Sequence, residues 1–142
     1  MKASARNRFV GQIAGIQEGS VSDEIELLTA SGLRIVATIT RSSREALELR
    51  RGVAAFALVK ASSVMLVADA HGARFCAHNQ FQGTVSRVVR GTVNSEVSLA
   101  LLGDEALVAV ITNESVDELD LTHGQPVVAL FKADSVILGV TA

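Results

Sequence analysis

Apolar and polar positions alternate along this chain in short runs broken by glycine and serine turns. Phe9 to Ile16 mixes apolar with small residues and ends at Glu18-Gly19-Ser20, and Asp23 to Leu28 then runs to a second turn at Ala30-Ser31-Gly32. Both segments read as strands bounded by turns. Leu33 to Thr40 is apolar and β-branched, a third strand. Ser42 to Leu49 changes character and reads as a short helix stopped by Gly52, with Ser42 and Glu45 spaced as a capping box. Val53 to Lys60 and Val64 to Val67 follow as two strands that close the segment.

The same pattern then starts again. Residues from Ser4 to Leu66 align without a gap onto Cys76 to Leu138 at a constant shift of 72 positions. Roughly a third of the pairs are identical, the mark of an internal repeat. The matches go beyond core positions, because Asn7/Asn79, Thr40/Thr112, Ser43/Ser115 and Lys60/Lys132 recur as well. The chain is therefore expected to hold two domains, residues 1–68 and 74–142, joined by Asp69-Ala70-His71-Gly72-Ala73, a linker too short to let them separate far. Three strands, a short helix and two strands is the element order of a five-stranded barrel of the oligonucleotide/oligosaccharide-binding type. The expected class is all-β: a tandem pair of such Greek-key barrels with one short helix per repeat.

Units of about 65 residues lie near the lower limit of independent stability, so each is expected to lean on neighbours. The chain is 49% hydrophobic but has five Phe, no Trp and no Tyr, so its interior must be built from Val, Leu, Ile and Ala. The single cysteine, Cys76, permits no intrachain disulfide, and a reducing compartment follows as the expectation. The polar start Met1-Lys2-Ala3-Ser4-Ala5-Arg6-Asn7-Arg8 is no secretory h-region, and no run of about 18 apolar residues suggests a membrane span.

The candidate chemistry lies in three polar segments. Lys60 and Lys132 each follow an apolar strand, where the ordinary role is a lysine stem lying along a barrel rim with its head in water. Thr40 with Ser43, and Thr112 with Ser115, bracket the start of each short helix, where unpaired N–H groups favour an anion and the ordinary role is capping. Ser4-Ala5-Arg6-Asn7 offers a hydroxyl, a guanidinium and an amide before the first strand, at a place where termini commonly fray. Together these make a set of donors without acceptors, suited to a deprotonated tetrahedral dianion. Such a set would discriminate against phosphate, whose proton needs an acceptor. It argues against a bare metal cation, and His71, His78 and His123 show no ligand spacing.

Ser4-Ala5-Arg6-Asn7, the Gly19 turn, Ile39-Thr40 before the helix, and Leu58-Val59-Lys60-Ala61 with Ser63-Val64 together resemble the Mop family of molybdate-binding domains, also called Mop/TOBE. The two-copy layout is similar to molbindins of the di-Mop kind. The resemblance implies a cytoplasmic protein that binds molybdate, and tungstate in its place, for storage or homeostasis, with no organic cofactor. It also implies a ring of six domains, a homotrimer for a two-repeat chain, with sites at domain interfaces and on the threefold axis. Residue by residue it places Ser4, Arg6, Thr40, Ser43, Lys60 and the backbone of Ala61 in one ligand set. Cys76, His78, Thr112, Ser115, Lys132 and the backbone of Ala133 take the matching places, so Cys76 replaces Ser4 and His78 replaces Arg6. A thiol is a weaker donor than a hydroxyl and a histidine is charged only when protonated, so this half should bind more weakly or with more pH dependence. Gly19-Ser20-Val21 and Gly91-Thr92-Val93 are the candidates for the axis.

Other classes fit less well. A nucleic-acid barrel stacks bases on aromatics along a basic groove, whereas this chain has few aromatics and a formal charge of −2. A molybdate-responsive regulator would need a partner to supply the DNA-binding domain, since the chain begins at the Mop motif. For an enzyme, no His/Asp arrangement can be identified around Cys76, and no Walker A sequence is present.

Overall fold

The computed structural model describes residues 1–141. Ten strands form in the order the alternation predicts: β1 (Asn7–Gln17), β2 (Ser22–Thr29), β3 (Arg34–Thr40), β4 (Ala54–Val59) and β5 (Met65–Val67), then β6 (Asn79–Arg90), β7 (Asn94–Ala100), β8 (Ala106–Thr112), β9 (Pro126–Phe131) and β10 (Ile137–Gly139). Helices α1 (Arg41–Ala46) and α2 (Asn113–Glu118) follow β3 and β8. In β2 every second residue is buried, Asp23, Ile25, Leu27 and Thr29, so one face meets the core and the other solvent.

Each first strand is long because it serves two neighbours. The start of β1 pairs with β4, from Asn7 opposite Val59 to Gln12 opposite Ala54, and its end pairs with β2, from Gly11 opposite Thr29 to Gln17 opposite Glu24. An irregularity between Ile13 and Gly15 bends it, and β6 bends likewise between Val85 and Arg87. Gly11 stands where the two pairings of β1 overlap, and Gly83 one residue before the overlap at Thr84 in β6. A Cβ on Gly11 would run into the carbonyl of Leu28, and one on Gly83 would lie 2.8 Å from the carbonyl oxygen of Ala100.

The last strand of each repeat corrects the expectation that it closes its own domain. The sheets run β10-β4-β1-β2-β3 and β5-β9-β6-β7-β8. Thus β5 pairs with β9, Leu66 opposite Ala129, and β10 pairs with β4, Leu138 opposite Ala57. The 3-10 turns that precede these strands cross over too, Ala61–Ser63 packing on β8 and Ala133–Ser135 on β3. One apolar cluster runs through both repeats, from Phe9, Ile13 and Leu27 to Phe81, Val85 and Leu99. The halves therefore share a single core, which answers the small size of each unit.

Asn7 and Asn79 stitch this exchange. The Asn7 amide donates to the Val108 carbonyl (2.8 Å) and accepts from the Val108 N–H (2.7 Å), and Asn79 makes the same pair with Val36 (2.8 Å each). Both side chains are buried, and each acts as a strand fragment on the third strand of the opposite repeat.

The short helices differ from the expected span of Ser42 to Leu49. Thr40, not Ser42, is the N-cap, its Oγ1 accepting the Ser43 N–H at 3.1 Å. The helix stops after Ala46, and Glu48 takes a left-handed backbone (φ 52°). Thr112, Ser115 and Asp120 (φ 49°) repeat the arrangement. Among the described residues no helix is long and apolar enough to cross a membrane.

Candidate oxyanion site

Thr40 and Ser43 form a directed pair. The Thr40 hydroxyl accepts the Ser43 N–H and donates to Ser43 Oγ (2.9 Å), which leaves the Ser43 O–H as the outward donor. Thr112 and Ser115 do the same at 2.9 Å. Lys60 and Lys132 sit on extended backbone just ahead of the 3-10 turns with exposed side chains, while Ala61 and Ala133 behind them are buried. Lys132 Nζ lies 3.8 Å from Asp134 Oδ2, an exposed pair that leaves the ammonium accessible.

These groups gather around seams between the repeats. Cys76, His78, Lys132, Ala133 and Asp134 line a cleft of about 330 Å³ together with Thr38 of the first repeat. His78 therefore shares a cleft with the lysine of its own repeat, a pairing the sequence leaves open. Thr112 and Ser115 line a separate hollow of about 410 Å³ with Ser62, Ser63 and Val64 of the first repeat. The start of α2 thus faces the 3-10 turn of the first repeat. Within one chain the twelve candidate residues do not converge on one centre.

Arg6 departs most from the expected donor-only set. Its guanidinium grips Glu96 of β7 with two parallel bonds of 2.7 Å each, Nη1 to Oε2 and Nη2 to Oε1. The hydrogen bond raises Arg6 and holds the Glu96 carboxyl below the usual carboxylate range, with the charge of Arg87 adding to the second effect. A carboxylate thus stands against one of the candidate donors. The sequence marks this residue by its recurrence, Glu24 and Glu96 being identical at the repeat shift, but not its pairing with Arg6. Among the described residues no group of three or more His, Cys, Asp or Glu is placed to hold a metal ion.

The glycine turns singled out for the axis are anchored differently in the two halves. Asp23, buried, accepts the Gly19 N–H (3.1 Å) and the Arg44 Nε–H (2.5 Å), while Arg41 donates to the Gly19 carbonyl. Arg44 is the main reason the Asp23 carboxyl is held below its ordinary range. In the second repeat Ser95 donates to Asn113 Oδ1 (2.5 Å) and Asn113 donates to the Gly91 carbonyl (2.9 Å). Both turns expose a valine at the same position, Val21 at 79% and Val93 at 68%. The exchanged strands do likewise, Met65 and Ile137 each being 64% exposed.

The TOBE domain model matches residues 3–66 and 77–138. The molybdenum transport protein ModE of Herbaspirillum seropedicae is 46% identical over 140 residues, 99% of this chain and 52% of that protein. The molybdenum-pterin-binding protein MopA of Rhodobacter capsulatus is 40% identical over 99% of this chain and 53% of its own length. The chain spans about half the length of the curated relatives it matches. Among solved structures, the cytoplasmic molybdate-binding protein ModG with molybdate bound superposes with a TM-score of 0.95 at 41% identity, covering 99% of this chain and 100% of that one. Two matched segments that account for most of the residues, together with this full-length likeness, place the protein in the TOBE domain family.

Proposed function

We propose that this protein binds molybdate, with tungstate as a substitute, and holds it for storage or buffering in the cytoplasm. The observation that carries the reading is the full-length likeness to the molybdate-bound ModG structure. The recurring Thr-Ser pairs and exposed lysines at the seams supply donors of the kind a tetrahedral dianion requires. Ser4, Arg6, Thr40, Ser43, Lys60 and Ala61 form one ligand set of the reading, and Cys76, His78, Thr112, Ser115, Lys132 and Ala133 the other. The reading takes the assembly to be a homotrimer with sites at domain interfaces, and involves no catalysis, organic cofactor, nucleic acid or membrane. Val21, Val93, Met65 and Ile137, exposed in matching pairs, support an assembly that covers them.

Isothermal titration with molybdate, repeated in excess sulfate, tests the function. Saturable uptake of more than one anion per chain that survives sulfate is the expected result; no heat and no retained molybdate would sink the reading. Sedimentation equilibrium tests the trimer.

A second reading, a molybdate-responsive partner of a DNA-binding protein, is favoured by the relative named DNA-binding transcriptional dual regulator ModE in Escherichia coli, 35% identical over 97% of this chain and 52% of that protein. It requires molybdate to change the affinity of this chain for such a regulator.

A further inference from the structure

Arg6 belongs to the proposed ligand set, yet its edge is already occupied. A guanidinium gripped by a carboxylate through two parallel bonds is neutralised and cannot turn that same edge to another oxyanion. Glu96 also has a second cation within reach. Arg87 lies on β6 two residues from Val89, the cross-strand partner of Glu96, and so projects from the same face of the sheet. Its charge already acts on the carboxylate.

The counterpart arrangement around Glu24 lacks both cations of this device. At the shift of 72, Glu24 stands at the place of Glu96, but Gly15 stands at that of Arg87 and His78 at that of Arg6.

We propose that Glu96 is a built-in competitor for the oxyanion, holding Arg6 in reserve on the second repeat and passing to Arg87 when a dianion takes the guanidinium. The proposal rests on the oxyanion-binding reading above and adds a specificity rule to it. An incoming anion must displace a carboxylate from a bidentate grip, which a tetrahedral dianion does and a tetrahedral monoanion of similar size does not. Arg87 lowers the cost of displacement because the freed carboxylate stays paired. One class of sites, that served by Arg6, carries this threshold; the class served by His78 does not.

The test is titration of the wild type and of the Glu96→Gln, Arg87→Gln and Glu24→Gln variants with molybdate and with perchlorate, a tetrahedral monoanion. Each exposed pair has a modest effect, so Glu96→Gln is expected to tighten molybdate at one class of sites by about two- to fivefold. It should also admit perchlorate there. Arg87→Gln should weaken molybdate by a similar factor, and Glu24→Gln should match the wild type. In an Arg6→Gln background the gain from Glu96→Gln should vanish. Molybdate affinity unchanged in Glu96→Gln would overturn the proposal, and so would weaker binding at an unchanged melting temperature, which would make Glu96 a simple orienting group. No molybdate uptake by the wild type would instead overturn the functional reading on which the proposal rests.

Discussion

In the first repeat a buried carboxylate, Asp23, gathers the Gly19 N–H and the Arg44 guanidinium, with Arg41 on the Gly19 carbonyl; in the second, Ser95 and Asn113 hold the Gly91 turn with neutral groups. Val116, at the position of Arg44, is buried instead of charged. The outward ion pair also moves, from Arg44–Glu18 (3.3 Å) to Arg90–Asp117 (2.8 Å). The fold requires only that the turn be tethered to the helix, and charged or neutral donors meet that requirement. What charge adds is dependence on pH. Where the fold allows no alternative, as with Asn7 and Asn79, the two halves are identical in both residue and geometry.

That contrast can be broken in several ways, the largest at the shared feature. Asn7→Ala and Asn79→Ala each strip both bonds from a buried strand segment, and each should cost about 2–4 kcal/mol in chemical denaturation. Nearly equal losses are expected; a large loss from one alone would mean that the exchange is held unequally.

Asp23→Ala should lower the melting temperature by about 4–8 °C, and Ser95→Ala by less. Because Arg44 depresses the folded Asp23 pKa, its contribution is fully present above the ordinary carboxylate value of about 4 and is lost as pH falls through the depressed value. Acid melting curves should therefore be steeper for the wild type than for Asp23→Ala. Parallel curves would remove Asp23 as the source.

His78→Arg leaves Cys76 in place of Ser4 as the remaining difference between the two ligand sets. It should tighten molybdate at the class served by position 78 by about tenfold near pH 8, where an arginine keeps its charge. Unchanged molybdate affinity in His78→Arg would make His78 structural. The smallest effect belongs to the caps: Thr40→Ala and Thr112→Ala should each cost about 1 kcal/mol in thermal unfolding, and Ser42→Ala close to nothing. A loss at Ser42 equal to that at Thr40 would contradict the observed cap.

The repeat, the strands, the turns and the approximate place of both helices were legible because they depend on local periodicity and turn chemistry, which a residue carries with it wherever the chain goes. Thr40, Ser43, Lys60 and their counterparts stood out because they recur without a packing reason. The strand exchange was not legible. Val64 to Val67 presents the same alternation to either sheet, and a short linker limits separation without selecting a partner.

The partners of Asn7 and Arg6 lay beyond reach for the same reason, since Val108 and Glu96 are each about ninety or more positions away in sequence. By itself the sequence determined that two similar β units would form and which donors they would carry. Only the tertiary structure decided that each unit would be finished by the other, and that a carboxylate would stand on the arginine, because pairing across the chain is settled by geometry that no local pattern encodes.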